Sequence, residues 1–256
     1  IELQKKLGLT DIKITYVMTD FTQANVDFWK QHPNFAPYLK AGQLDFAIYD
    51  LEATTEIKLQ HSGNVLNTTT LTNPLIALGN YIFDTVSHDA FHVTDHNVQS
   101  ALLHLEVDKN KATDGKPNAL EGLHTYFNYE DIDTSKHYKN ADWNAALAEH
   151  STSIENGSFL FPIGSFKCFD SLRALSNNRL FIVSTDKGYT HPIEIEDRPD
   201  PAIVFHGSLS MSVNFHAIAT YFKHIGGSAV HQTPREGIKT CVYSTEKLDN
   251  HVETNH

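Results

Sequence analysis

Acidic side chains stand at or near the ends of several apolar runs, a position where such groups often bind ligands. Asp20 ends "IKITYVMTD", Asp50 ends "LDFAIYD", and Asp186 lies near the end of "RLFIVSTDKG". In open α/β sheets, ligands bind at the carboxyl ends of parallel strands. A carboxylate there can accept both hydroxyls of a ribose, and an acid after the next strand can read an adenine amino group. The alternative is that Asp20 and Asp50 are ordinary strand-end or helix-capping residues.

The apolar runs that carry these acids, and a further run "PLIALGNYIFD", predict buried parallel strands because they are nearly continuous rather than alternating. Thr22 is expected to cap a short helix with Val26 and Trp29 on one face, which joins the first two strands as a βαβ unit. The spacing of apolar residues predicts helices within "GSFKCFDSLRALSNN" and "LSMSVNFHAIATYFKHIGG", the latter including Val213. "SAVHQTP" and "IKTCVYST" predict a closing antiparallel hairpin.

Residues 92–156 break this rhythm, because they are polar and their strand and helix signals are short. We interpret them as an insertion or cap between the third and fourth visible strands. Its aromatic residues Tyr126, Phe127, Tyr129 and Trp143 are expected to form a small packing cluster of their own. The predicted organisation is therefore a first part over 1–91, the insertion over 92–156, and a second part over 157–256.

Composition limits the classes of function. The net charge of −11 argues against a broad nucleic-acid surface, and no apolar stretch of about 18 residues predicts a membrane span. Cys168 and Cys241 lie in apolar contexts and are interpreted as buried free thiols, which fits a reducing compartment. An intracellular protein, cytoplasmic or mitochondrial, is expected.

A metal centre is not favoured. His88, His92 and His96 are four residues apart and would share one helical face, but Val93 and Thr94 favour a strand that would scatter the rings. The zinc-binding HExxH pattern, the P-loop and the GxSxG motif of hydrolases are all missing from the sequence.

Taken in order, "YVMTDFTQANVDFWKQHP", "GQLDFAIYD", "NPLIALGNYIFDTVSHDAF", "FIVSTDKGY" and "HGSLSMSVNFHAIATYF" resemble class I S-adenosylmethionine-dependent methyltransferases. The branch is loosely similar to the MidA-like methyltransferases, which include a mitochondrial arginine methyltransferase. The resemblance implies an α/β, Rossmann-like, mostly parallel sheet with an antiparallel last strand. It also implies S-adenosylmethionine as cofactor and methyl transfer to a protein or small-molecule acceptor that the sequence does not identify.

Under this resemblance, five residues are expected to bind the cofactor. Asp20 matches the ribose-binding acid, and Phe21 would lie against the nucleoside. Asp50, followed by Leu51, matches the adenine-reading position, and Asn80 belongs to the motif that follows the third visible strand.

Two residues of the same motif are the candidate catalytic groups. Tyr81 would orient the methyl acceptor by hydrogen bonding, and Asp84 would act as a base or a cap. In MidA-like enzymes the motif is closer to Asn/His-Glu-Phe-Phe-Asp, and Tyr81 replaces the Glu, which argues against arginine methylation. The segments "DKGY" and "HGSLSMSVNFH" would line the substrate, or else Gly188, Gly207, Asn214 and His216 only shape turns and satisfy local backbone groups.

A cofactor of this kind also needs a glycine-rich loop after a first strand, and no G-x-G turn occurs near the start of this sequence. We expect that strand and loop to precede Ile1, with "IELQKKLGLTD" as the end of the following helix. The alternative is a methyltransferase-like scaffold that has lost its cofactor site and serves in a larger assembly.

Overall fold

A computed structural model of the chain describes residues 2–9, 11–107, 123–201, 204–205, 209–231 and 237–248. Its helices are α1 (Glu2–Lys6), α2 (Gln23–Gln31), α3 (Ala36–Lys40), α4 (Ala141–Thr152), α5 (Ile163–Leu175) and α6 (Phe215–His224). Its strands are β1 (Tyr16–Asp20), β2 (Leu44–Ile48), β3 (Ile57–Lys58), β4 (Val65–Leu66), β5 (Leu75–Asn80), β6 (Asp89–Thr94), β7 (Asn97–Val107), β8 (Leu123–Asp131), β9 (Gly157–Phe161), β10 (Leu180–Tyr189), β11 (Val204–Phe205), β12 (Leu209–Ser210), β13 (Val213–Asn214), β14 (Ser228–His231) and β15 (Ile238–Ser244).

The parallel strands are divided between two sheets. β1 and β2 pair in parallel, with Asp20 opposite Ile48, whereas β5 pairs in parallel with β10 in a different sheet. Among the described residues, the strands that lead to Asp20, Asp50 and Asn80 therefore do not share the one mostly parallel sheet that the resemblance implies. The physical reason is that no backbone hydrogen bonds join β1 and β5, since each of these strands has an edge without a strand partner among the described residues.

The carboxyl-terminal half follows the predicted pattern closely. β10 pairs antiparallel with β15, and β15 pairs with β14 in the expected hairpin. α5 and α6 form where they were predicted, but Val213 lies in β13 beside Gly188 rather than on α6. A Cβ at Gly188 would lie 2.1 Å from the Val213 carbonyl oxygen, so only glycine allows this close pairing.

The insertion predicted over 92–156 contributes to a four-stranded antiparallel sheet of order β8-β7-β6-β9, which extends from Asp89 to Phe161. Its aromatic residues do not form one cluster. Trp143 packs on Phe166 of α5 with ring centroids 5.9 Å apart, whereas Tyr126 stacks on His104 at 5.0 Å. The prediction of a separate cluster is wrong, because α4 carries Trp143 into the main core.

Aromatic rings form the centre of that core. Phe169 of α5 lies edge-on to Phe83 at 5.2 Å and to Phe222 of α6 at 5.4 Å, and Phe222 stacks on Tyr243 of β15 at 5.0 Å. These rings join the segment after β5, two helices and the antiparallel strand. Both cysteines are buried and unpaired, as predicted. Within the described part of the chain, no helix has the length and apolarity to cross a bilayer.

The core predicts the effect of a cavity at its centre. Phe169 is fully buried, so Phe169→Ala should lower the free energy of unfolding by about 3–5 kcal/mol. Phe28→Ala is the matched control, because Phe28 is 66% exposed and its loss should cost roughly 0.5 kcal/mol or less. Urea denaturation followed by circular dichroism measures both, and equal effects would contradict this description of the core.

Candidate functional site

Asp20 and Asp50 lie at the same end of the β1–β2 pair. The backbone N–H of Tyr49 donates to the carbonyl oxygen of Asp20 at 3.0 Å, and Asp50 is the next residue along the chain. Phe21 is 80% exposed at this edge, and Leu51 is half-buried against the core. Four of the five predicted cofactor-binding residues are therefore gathered at one carboxyl edge.

The carboxylate of Asp20 already has partners at the start of α2. Its Oδ1 accepts bonds from the N–H and the hydroxyl of Thr22, both at 2.7 Å, and its Oδ2 accepts one from Asn25 at 2.8 Å. Partial burial acts to raise the pKa of Asp20, but the bonds from Thr22 and Asn25 outweigh it and the pKa is lowered. Asp20 is thus ionised at neutral pH.

These bonds also correct the expected helix cap. Thr22 occupies the N-cap position of α2 but makes no side-chain capping bond, because its hydroxyl donates to Asp20. Asp50 is exposed, and its Oδ1 accepts from the N–H of Glu52 at 2.9 Å. Each acid therefore accepts a local backbone N–H at the end of its strand, as the alternative of an ordinary strand-end residue expects. Each carboxylate keeps further lone pairs.

Glu52 connects this edge with the segment that follows β5. Its Oε1 accepts the N–H of Ser87 at 2.7 Å, and its Oε2 pairs with the Lys167 ammonium of α5 at 2.9 Å. Burial acts to raise the pKa of Glu52, but these partners outweigh it and the pKa is lowered. The loop after β2 and the loop after β5 are therefore in direct contact, although their strands belong to different sheets.

The motif after β5 turns sharply. Tyr81 adopts a left-handed conformation, with φ of 53°, and its side chain is 47% exposed. Phe83 turns back into the core, and a Cβ at Gly79 would lie only 2.9 Å from the Cε2 atom of its ring. Asn80 is exposed at the end of β5. The side chain of Tyr81 therefore faces outward, while that of Phe83 packs inward.

Asp84 and Asp186 form a buried acidic pair behind this turn. The N–H of Asp84 donates to Oδ2 of Asp186 at 3.3 Å, and the Oδ1 of Asp84 has no hydrogen-bond partner among the described residues. Burial, together with the negative charge of Asp84, raises the pKa of Asp186 to about 6. The sequence placed Asp186 in a substrate wall, whereas its side chain is fully buried. This burial follows the alternation of β10, in which Leu180, Ile182 and Ser184 lie on the same buried face.

His88, which the sequence offered only as part of a histidine face, lies near the charges of Asp84 and Glu52. Its Nδ1 lies 2.7 Å from the Val86 carbonyl oxygen and donates to it, which leaves Nε2 as an unprotonated acceptor without a partner among the described residues. Burial lowers the pKa of His88. The helical face considered for a metal does not form, because His92 lies in β6 and His96 in a turn.

The other predicted substrate wall is occupied by internal contacts. Asn214 caps α6 by accepting the N–H of Ala217 at 3.0 Å, and its amide donates to Nε2 of the buried His150 at 2.9 Å. His150 then pairs with His216 through their Nδ1 atoms at 2.8 Å. Asn214 therefore satisfies a local backbone group as the alternative expected, whereas the ring of His216 contacts the distant side chain of His150. His206 and Gly207 lie outside the described residues.

Two solved structures resemble this fold. One is a COG1565 superfamily member and "likely methyl transferase" from Burkholderia thailandensis bound to S-adenosyl-homocysteine, with 12% identity and a TM-score of 0.50 over 94% of this chain and 67% of that one. The other is an uncharacterized COG1565 superfamily protein from the same organism, with 11% identity and a TM-score of 0.48 over 94% of this chain and 69% of that one. No protein-family model and no curated protein matches the chain. The first likeness shows that this chain shares the α/β fold of that structure, and the predicted family and its branch stay predictions.

The acidic pair predicts a characteristic pH dependence. Because the pKa of Asp186 is raised in the folded state, its contribution to stability is fully present below about pH 4 and is lost as the pH rises through about 6. Asp186→Asn removes this ionisation. As the pH rises from 4 to 8, the free energy of unfolding of the variant should therefore increase by roughly 1–2 kcal/mol relative to that of wild type. Urea denaturation across this range measures the difference. Asp197→Asn, at an exposed position, is the control, and its free energy of unfolding should depend on pH as that of wild type does.

Proposed function

We propose that this chain forms most of an S-adenosylmethionine-dependent methyltransferase domain. The observation that carries the proposal is the placement of Asp20 and Asp50 at one carboxyl edge, with the exposed Phe21 beside them. The spacing of adjacent parallel strands suits the two ends of a nucleoside, with the ribose hydroxyls at Asp20 and the adenine at Asp50 and Leu51. The fold shared with a protein whose structure contains S-adenosyl-homocysteine supports the choice of nucleoside.

In this proposal the segment after β5 faces the transferred methyl group. Asn80 would contact the cofactor, and the exposed hydroxyl of Tyr81 would orient the acceptor. Methyl transfer depends mainly on in-line positioning of nucleophile, methyl carbon and sulfur, so a strong nucleophile in the protein is not required. The acceptor loses a proton during the reaction, and Asp84, with one unpartnered oxygen, would receive it or fix the turn.

The amino-acid end of the cofactor needs donors that the described residues do not supply. β1 and β5 each have an unpaired edge among those residues, and Ile76 and Leu78 of β5 are 66% and 57% exposed. In this proposal, one further strand pairs with these edges and carries the glycine-rich loop toward Asp20. The alternative function is a scaffold without cofactor, and a protein that binds no S-adenosyl-homocysteine would favour it.

The ribose contact is tested at Asp20 with a substitution that keeps the helix start. Asp20→Asn retains an acceptor for the N–H of Thr22 but removes the charge that would hold two ribose hydroxyls. In the full-length protein, affinity for S-adenosyl-homocysteine should fall by about ten- to a hundredfold, measured by calorimetry. Asp27→Asn, on the exposed side of the same helix, should leave it unchanged. Equal affinity for wild type and Asp20→Asn would remove Asp20 from the site.

The acceptor contact is tested at Tyr81. Tyr81→Phe removes one hydroxyl from an exposed side chain, so the fold should persist and cofactor affinity should stay nearly constant. Turnover should fall by about ten- to a hundredfold, because the lost bond acts on the acceptor. The measurement is transfer of a labelled methyl group, after a screen of protein and metabolite acceptors. A loss of cofactor affinity equal to the loss of turnover would contradict this role.

A further inference from the structure

The sheet of the inserted segment extends into a two-stranded arm. β6 pairs with β7 only as far as Ser100, and from Ala101 onward β7 pairs with β8 alone. We define the arm as residues 101–107 and 123–129. An isolated two-stranded ribbon is marginally stable in water, so an arm of this length needs further strands or a covering surface.

The arm exposes apolar side chains on both of its faces. Leu103 and Leu105 lie on one face and are 43% and 57% exposed, and Phe127 lies opposite Leu103 on the same face. Leu102 and Tyr126, on the other face, are 41% and 44% exposed. β8 is also an edge strand, and among the described residues it pairs only with β7. Such an edge is a template for another strand.

We propose that two copies of this chain associate through β8, antiparallel about a twofold axis at Phe127. An antiparallel strand edge is complementary to its own copy, so an isologous dimer would convert two ribbons into one four-stranded sheet. Directly opposite residues point to the same face. The apolar face of Leu103, Leu105 and Phe127 would therefore continue into the same face of the second copy.

Charge complementarity determines the register in which the two β8 strands would pair. An axis at Phe127 places His124 opposite Glu130 of the partner subunit and Thr125 opposite Tyr129 of the partner subunit. Among axes at residues 125 to 129, only this one sets a basic side chain opposite an acidic one within the described part of β8. Glu106 of the same chain already lies across from His124 on β7, so the imidazole would stand between two carboxylates.

Charge reversal tests the pairing in the full-length protein. His124→Glu places two acidic side chains opposite each other across the axis, and Glu130→Lys places two basic ones opposite each other. Each change should therefore raise the dimer dissociation constant at least about tenfold. The double variant restores an acid opposite a base and should return the constant toward wild type. Glu155→Lys, an exposed reversal away from the arm, is the control and should have no effect. Analytical ultracentrifugation measures all four.

Cross-linking tests the position of the axis independently. Phe127→Cys places two thiols opposite each other, so oxidation or a short bismaleimide should yield a covalent dimer. Thr125→Cys faces Tyr129 of the partner subunit instead and should not cross-link to itself. Cys168 and Cys241 are buried and do not compete in the folded protein. Wild type that stays monomeric at about 100 μM would overturn the proposal, as would equal cross-linking at both positions or a dimer that ignores both charge reversals.

Discussion

The contacts of Glu52 determine how the candidate site is assembled. β1–β2 and β5–β10 belong to different sheets, so backbone hydrogen bonds between strands do not fix one pair against the other. One carboxylate accepts an N–H of the loop after β5 and also pairs with an ammonium of α5. Tyr49, three residues earlier, places its hydroxyl 3.9 Å from the Cys168 sulfur in the same helix. These contacts bring Asp50 and the turn at Tyr81 to a common side of the molecule.

Asp20 and Asp186 are two acids with different environments. Asp20 accepts three hydrogen bonds at the surface, so its charge is stabilised. Asp186 is enclosed beside a second carboxylate, so its neutral form is favoured. Separation of pKa values between neighbouring acids is how one site provides both a fixed charge and a group that exchanges a proton. Asp20 therefore carries a fixed charge, and the buried pair contains the group whose ionisation is displaced toward neutral pH.

The sequence predicted the elements better than their partners. Apolar runs and strand-ending acids are local signals, and they placed β1, β2, β5 and β10 correctly. Strand pairing is a long-range property, so the separation of β5 from β1 had no local signal. The burial of Asp186 follows the alternation of its own strand, whereas its pairing with Asp84 is a long-range contact. Thr22 stands at the N-cap position, and only the fold reveals that its N–H and hydroxyl donate to Asp20 and that its side chain makes no capping bond.

The pairing of β5 with β10 encloses the whole of residues 92–156, the predicted insertion. Leu75 lies opposite Leu180, so roughly 100 residues of chain form the loop between two adjacent strands. The entropic cost of closing a loop rises only with the logarithm of its length, and a doubling adds about 0.6 kcal/mol. The four strands β6 to β9 are antiparallel and pair with one another within that loop. The arm can therefore lengthen, shorten or change its sequence over evolutionary time with little effect on the sheet that carries the candidate site.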